Sequence, residues 1–594
     1  MLPTVRNADP EAVRGTGDVL YIVLRRLRVP LIVLILAYAV AVIGLAWMPG
    51  TTPDGKPWRM GIFHALYVVS YTATTIGFGE VPYPFSEAQR LWMIFTIYLT
   101  VVAWTYTLGA IFTLVADATF RAAIARALFA WRVRQIAEPF FVICGFGQSA
   151  RALAHALDKL GYRVVVVELL KERAASAAIF PLSMAPVVYT ADARLPDSLR
   201  LAGIGRPNCR GILVLAGDDT ANTTIAIGAR TLAPKLRVIA RVKSATAKVN
   251  LEAFGGIEVI HPFETFATNL ALDLDSPDVL RLEEWLTAAP GAPCPDRVGA
   301  PTGPWVLVGF GRFGQAIARV LDARGIEWHA IDTHSFDIAG AQLVVGEHTE
   351  RSLHESKIAE ASVLVAGTDD DAVNLAAVTL ARRAQPNIWV IIRQNHVADR
   401  VLIRAARADM RFVQSEIMQH ECLQLIHEPL LGLFLRRMRA EGGSFAERTL
   451  AAVRARLGDG SPEAWSLKLD LMQPGVFYAL LQSGRALRLT DLLEHRDEVA
   501  RSVEAMPLML VRGKETLLTP AADLPLQAGD RLLMIGRDDA RRWQLRLLQD
   551  ATAMQWQLTG VEPPRTWLFR WLADRRALRE AVRRGAATAV ERSA

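Results

Sequence analysis

Cysteine is scarce in this chain: four in 594 residues, at Cys144, Cys209, Cys294 and Cys422. No two stand at Cys-x-x-Cys spacing and no histidine cluster accompanies them, which excludes a zinc site or a dithiol redox motif of the usual pattern. Unpaired thiols suit a reducing compartment, so the part of the chain that carries them is expected in the cytosol. No carboxylate cluster has the loop spacing of a calcium site, and no divalent site is assigned. A catalytic His or Lys constellation with a recognisable substrate domain is also missing. No uncharged run as long as 20 residues follows Val115.

Before Val115 they are abundant. Val29–Met48 is 20 residues without a charge and Leu91–Val115 is 25. Each is long enough to cross roughly 30 Å of hydrocarbon as a helix. The first is too long for a signal-peptide core and shows no small-residue cleavage site. Arg25, Arg26 and Arg28 precede the first run, and Arg121, Arg126, Arg132 and Arg134 follow the second. The stretch between them holds only a few basic residues, notably Lys56, Arg59 and Arg90. The bias of positive charge puts both termini in the cytoplasm of a multi-pass protein of the cell (inner) membrane. It also accounts for much of the net charge of +7, which therefore does not point to nucleic acid.

A third apolar run, Gly61–Gly79, lies between the two spans. As a third crossing it would carry the C-terminal region outside, against the charge bias and the free thiols. A re-entrant segment fits: a short helix from about Phe63 to Thr74, then an extended loop. Non-helical backbone at membrane depth survives where it is buried in protein or lines an aqueous path. Thr75-Ile76-Gly77-Phe78-Gly79 can present a row of carbonyl oxygens to one axis, because glycine at alternate positions permits backbone angles that side chains forbid. The stretch Thr72–Glu80 resembles the potassium-channel filter signature, Thr-Val-Gly-Tyr-Gly-Asp, in which carbonyls replace an ion's hydration shell. Ile76, Phe78 and Glu80 depart from it, and Phe78 lacks the tyrosine hydroxyl that braces the filter from behind. The resemblance implies four copies around one axis, hence a homotetramer with potassium ions at Thr75–Gly79, and Leu91–Val115 as the pore-lining helix. Gly109 lies within that helix. It can serve as a gating hinge or as a site of close helix packing.

After a basic, helical connector from Asp117 to Glu138, "FFVICGFGQSARALAHALDKLGYRVVVVE" reads as strand, glycine turn, amphipathic helix and strand. Gly145 makes the tight turn, Gly147 admits a pyrophosphate, and the small Ala150 lets helix pack on strand. Glu168 ends the second strand and can accept ribose hydrogen bonds. "WVLVGFGRFGQAIARVLDARGIEWHAID" repeats the pattern with Gly309, Gly311, Gly314 and Asp332. The acid falls 23 residues after the first glycine in both copies. Two such motifs in full strand–turn–helix–strand context are strong evidence for dinucleotide-type folds. The repeat continues from Ile212 and from Val363, where Asp219/Asn222 and Asp371/Asn374 are expected to cap helices.

Residues 139–280 and 303–425 resemble the regulator-of-potassium-conductance family, the Trk-type NAD-binding domain. That resemblance implies a cytoplasmic gating ring and nucleotide contacts at Gly145, Gly147, Ala150 and Glu168, and at Gly309, Gly311, Gly314 and Asp332. Asp192 and Arg241 stand where the family places near-site residues. Glu168 and Asp332 would repel a 2′-phosphate, so NAD(H) or another adenine nucleotide is favoured over NADP. Residues 281–302 read as a Pro/Gly linker and 426–465 as a helical connector. Residues 466–548 resemble the small C-terminal domain of Trk-type regulators. The basic, aromatic tail, 549–594, is a docking helix or a lipid-surface segment.

The fold class expected is a helical pore unit of two spans and a re-entrant loop (1–135), two α/β Rossmann-like domains, and a small α+β domain. The function expected is a nucleotide-modulated potassium channel that is not an enzyme. Its partners are further copies of itself, membrane lipid, potassium ions and a nucleotide. A less selective cation channel with inert nucleotide folds is the alternative. A membrane-anchored NAD-dependent oxidoreductase would leave the filter stretch unexplained.

Overall fold

The computed structural model describes residues 10–296, 299–336, 342–481, 487–496 and 503–560. Most of the tail expected at 549–594 lies outside them. The described chain falls into two compact units, 1–144 with 162–211 and 232–236, and 145–161 with 212–231 and 237–594.

The first unit opens with helix α1 (Pro10–Trp47), a hairpin of β1 (Pro49–Thr51) and β2 (Pro57–Arg59), the short helix α2 (Ile62–Ala73) and the long helix α3 (Glu87–Ala116). Arg25–Trp47 of α1 and all of α3 are long and apolar enough to cross a membrane, by length and composition. A capping box of Ser86 and Gln89 starts α3. α1 and α3 pack together: the Trp92 indole N–H donates to the Ala41 carbonyl (3.1 Å), and buried Thr107 donates to the Pro30 carbonyl (3.2 Å). Gly44 is required here, because a Cβ would lie 2.0 Å from the Trp92 ring. Helix α4 (Ala118–Gln135) follows, capped by the Asp117 carboxylate, which accepts from the N–H groups of Thr119 and Phe120. One aspartate thus ends α3 and starts α4.

The first nucleotide fold comprises β3 (Phe140–Cys144), α5 (Gln148–Lys159), β4 (Arg163–Glu168), α6 (Lys171–Ala178), β5 (Val187–Thr190), α7 (Pro196–Leu201), β6 (Cys209–Val214), α8 (Asp219–Leu232), β7 (Arg237–Arg241), α9 (Ala245–Phe254) and β8 (Glu258–Ile260). Its sheet runs β5-β4-β3-β6-β7-β8. Near-continuous valine and isoleucine fits strands covered on both faces.

α10 (Pro262–Asp275) and α11 (Pro277–Thr287) lead to the second fold. This comprises β9 (Trp305–Val308), α12 (Arg312–Asp322), β10 (Trp328–Asp332), β11 (Leu343–Val345), α13 (Glu350–Glu355), β12 (Val363–Ala366), α14 (Asp371–Ala384), β13 (Trp389–Gln394), α15 (Arg400–Ala405), β14 (Met410–Val413) and α16 (Gln414–His427). The sheet, β11-β10-β9-β12-β13-β14, is parallel and repeats the first topology. Strand order reverses beside the first strand of each sheet, which is where such folds bind ligands. Phe263, Phe266 and Leu270 of α10 pack with Trp305, Phe313 and Phe412 on one face of the second sheet.

Helices α17 (Pro429–Glu441) and α18 (Gly443–Leu457) follow. The small domain is an antiparallel sheet, β15-β18-β16-β17, of β15 (Glu463–Lys468), β16 (Ala505–Arg512), β17 (Glu515–Leu518) and β18 (Arg531–Gly536). With it go α19 (Pro474–Leu481), α20 (Asp538–Gln549) and α21 (Ala551–Thr559).

Two boundaries are corrected. The linker expected at 281–302 is helical at its start, because α11 runs to Thr287. Val279, Leu282, Trp285 and Leu286 bury against α17, α18 and the small sheet, and Glu283 pairs with Arg439 at 2.6 Å. The small domain begins at Glu463 rather than 466, and a further helix, α21, follows its expected end at 548.

Candidate functional site

α2 ends at Ala73, and the chain then turns through Thr75 (φ +64°), Gly77 (φ +65°) and Gly79 (φ +98°). Ile76 and Phe78 between them keep ordinary negative φ. Residues in the left-handed region thus alternate with ordinary ones, which an extended strand does not do. Threonine in the left-handed region costs roughly 1–3 kcal/mol, a strain typical of functional segments. The Ile76 N–H donates to the Tyr71 carbonyl at 2.9 Å, and the Tyr71 hydroxyl donates to the Gly79 carbonyl. The Phe78 ring stacks at 6.4 Å on Tyr67. Glu80 is tied to Arg90 (2.8 Å) and to the N–H of Phe85 (2.8 Å), which fixes the end of the loop.

Gly109 is exposed on α3, and a Cβ there would meet nothing within 4 Å. Among the described residues of one chain, none packs against it. Below it, α4 docks on the first nucleotide fold. Phe129 stacks on Tyr189 of β5 with ring centroids 4.6 Å apart, and Val133 lies against the turn at Gly203. The hydrogen bonds from Thr119 and Phe120, with the Arg26 pair behind them, hold the Asp117 carboxyl well below its ordinary range.

Both glycine turns have the geometry the sequence demands. Gly145 and Gly309 take φ +88° and +93°, and a Cβ on them would strike the backbone of Ala216 (2.9 Å) and Thr368 (3.0 Å). Gly147 and Gly311 are the N-caps of α5 and α12; neither offers a side chain to the first-turn N–H groups, and a Cβ on either would meet open space. Open backbone amides at a helix start are what a phosphate needs. A Cβ on Gly314 would lie 2.3 Å from the Gly309 carbonyl, whereas Ala150 fits buried in the same position of α5. These donor sets fit the phosphates of a nucleotide.

Asp332 is brought to its glycine turn: its carboxylate accepts from the N–H groups of Phe310 (2.7 Å) and His334 (2.9 Å). Burial alone would raise its pKa, but these hydrogen bonds outweigh that and hold it below the usual carboxylate range. Glu168 is buried at the end of β4 and accepts from the N–H of Leu170 (2.9 Å). Asp192 follows β5 and pairs with Arg194 (2.7 Å). Arg241 ends β7 and donates to the Ala216 carbonyl (2.6 Å).

Asp219 and Asp371 do not cap their helices as expected. Asp370 caps α14, accepting from the N–H of Ala372, and Asp218 accepts from Ala221 in the first fold. Asp219 instead accepts the N–H of Lys243, and Asp371 those of Asn395 and His396, pinning the end of the neighbouring strand. Asn222 and Asn374 bridge to the Arg241 and Arg393 carbonyls in the same way. Asp371, His396 and Asp399 offer ligand atoms within 4.8 Å of one another. The Asp371 carboxylate in that group is already engaged by two backbone amides.

Residues 141–262 and 305–413 match the TrkA-N domain family. An uncharacterised protein of Methanothermus fervidus is 29% identical over 227 residues, 38% of this chain and 34% of that one. Potassium channel protein 1 of Methanocaldococcus jannaschii is 23% identical over 226 residues, 38% of this chain and 66% of that one. The chain thus spans about a third and about two thirds of the length of these relatives. A solved structure of the GsuK channel bound to NAD aligns with 89% of this chain and 99% of its own, with a TM-score of 0.43 and 15% identity. Two separate segments of the chain thus match one domain family, and a stretch of 226 residues is similar to a potassium-channel protein.

Proposed function

We propose that the protein is a nucleotide-regulated potassium channel of the inner membrane. Four chains each supply one Thr75–Gly79 segment to a common axis, with both termini in the cytoplasm. The observation that carries this reading is the alternating backbone of Thr75, Gly77 and Gly79, set between a short apolar helix and a long one. A row of carbonyls on one side is a cation-coordinating surface, and the energetic cost of Thr75 is otherwise unexplained. The similarity of a 226-residue stretch to a potassium-channel protein supports the same reading, and supports a regulator rather than an enzyme.

Gly145, Gly147, Ala150 and Glu168 are the nucleotide contacts of the first fold, and the family resemblance adds Asp192 and Arg241. Gly309, Gly311, Gly314 and Asp332 hold that of the second. NAD(H) or another adenine nucleotide fits, because an acid stands where a 2′-phosphate would lie. Binding shifts the open–closed equilibrium only as far as the affinities of the two states differ. The Phe129–Tyr189 contact gives α4 the means to pass that difference to α3, with Gly109 as the bending point. Potassium efflux from proteoliposomes holding the purified protein tests the proposal. Efflux that responds to NAD⁺ or ADP, and sodium efflux well below it, is the expected result. Equal efflux of both ions would favour the less selective cation channel that Phe78 leaves open.

A further inference from the structure

The second compact unit contains a polar cavity of about 200 Å³, lined from both nucleotide folds. α16 packs on α5, and both helices begin with the dipeptide Gln-Ser: Gln148-Ser149 and Gln414-Ser415. All four residues line the cavity, and so do Arg241 and Arg393, which occupy matching strands of the two folds. Among the described residues, no carboxylate lines it. Ser149 and Ser415 are 5% and 7% exposed, and Gln394, at 4%, completes the polar wall.

Several of these groups lack the partners that burial normally demands. The Nε of Arg241, the Nε2 of Gln414 and the Oε1 of Gln394 are all buried without a hydrogen bond. The Gln394 amide cannot simply be flipped, because its Nε2 donates to the His396 carbonyl at 2.9 Å. Arg241 donates to the Ala216 carbonyl (2.6 Å) and Arg393 to that of Gly367 (3.2 Å), and the Arg393 guanidinium lies over the Phe263 ring. Burial pushes both guanidinium groups below their ordinary pKa. Burial also lowers Lys243, and the nearby charges of Arg241, Arg312 and Arg393 lower it further. The neighbouring acids Asp219 and Asp371 are engaged by backbone amides. Asp219 attracts Arg241, and Asp369 and Asp371 attract Arg393, but burial outweighs them. Cations buried without a hydrogen-bonded counter-ion are costly, and two helix N-termini add positive potential to the same space.

We propose that this cavity is a phosphate site shared by the two nucleotide folds of one chain. Arg241, Arg393, Gln414 and the two serine hydroxyls donate to the phosphate oxygens. Gln394 Oε1 accepts the proton of a P–OH group. That acceptor selects a hydrogenphosphate or a terminal phosphate ester over sulfate, which has no proton to give at neutral pH. The group comes either from free phosphate or from the end of a nucleotide held by the first fold, whose glycine helix opens with Gln148-Ser149. Only the second source rests on the proposed nucleotide function.

Calorimetric titration of the full-length protein with inorganic phosphate, sulfate, ADP and adenosine tests this. Saturable phosphate binding at least tenfold tighter than sulfate is expected, and Arg393→Gln should weaken it at least tenfold. Should that variant fail to fold, Ser415→Asp serves instead, since an acid in the first turn suits the helix but opposes an anion. Competition between phosphate and ADP assigns the site to the nucleotide's terminal phosphate, and independent binding of the two assigns it to free phosphate. Adenosine binding reports on the nucleotide fold alone, so its failure is separable. Absence of phosphate binding to the folded wild type, or unchanged binding in Ser415→Asp, overturns the proposal.

Discussion

Thr75, Gly77 and Gly79 hold the conformation on which the pore reading stands, and Tyr71 holds their end in place through the Gly79 carbonyl. Tyr71→Phe removes that brace while leaving the ring contacts with Tyr67 and Phe78. The expected result is a lower potassium-to-sodium permeability ratio, read from the reversal potential, with expression and assembly unchanged. The glycine turns make a second residue-scale prediction. Gly314→Ala drives a Cβ into the Gly309 carbonyl and should destabilise the second fold by about 1–3 kcal/mol. Gly311→Ala meets no atom, so it should leave thermal unfolding unchanged while weakening nucleotide binding. A melting curve and a nucleotide titration on each variant check both halves. These glycines were legible in the sequence because their spacing encodes a backbone requirement. The roles of Asp219 and Asp371 were not. Each has an acidic neighbour, and composition cannot say which of two adjacent aspartates reaches the helix N–H groups and which reaches the next strand.

At the scale of elements, α10 depends on an unusual cap. The Nδ1 of His261 accepts from the Glu264 N–H at 3.2 Å, which requires that nitrogen to be unprotonated. Burial pushes the imidazole below its ordinary value, against an opposing pull from Glu264. A folded pKa below the unfolded one means that the unfolded chain binds more protons. The cap's contribution is therefore complete above the unfolded pKa, near 6.5, and is lost as pH falls from there through the folded value. Melting temperature should decline between pH 7.5 and 5.5 in the wild type and decline less in His261→Asn, whose side chain caps without titrating. An equal decline in both would remove His261 as the cause. α11 shows what an element-scale reading could have gained. Val279, Leu282, Trp285 and Leu286 fall on one helical face after Pro277, a pattern visible in the sequence and masked by the Pro/Gly run that follows. The pairing of α16 with α5 left no such trace. It depends on two folds meeting, and no local periodicity records it.

For the whole molecule, the order of segments was legible: two apolar spans, a glycine–threonine loop between them, two copies of one α/β fold and a small α+β domain. Hydrophobic length, charge bias and a repeated motif are each properties of the chain itself. What was not legible is how α4 meets the first fold, since the Phe129–Tyr189 stack joins residues 60 apart with no motif in common. If that stack transmits the nucleotide signal, Phe129→Ala should leave nucleotide affinity and ion selectivity intact while abolishing the response of the current to nucleotide. Loss of the current itself would instead make α4 part of the pore's own stability.

The most direct test of the account is a single-channel recording from the purified protein in a planar bilayer, with KCl on one side, NaCl on the other and NAD⁺ or ADP added to each face in turn. The account predicts a reversal potential close to the potassium equilibrium value and an open probability that nucleotide changes from one face only. A current that reverses near zero under this gradient would contradict the assignment of Thr75–Gly79 as a potassium filter.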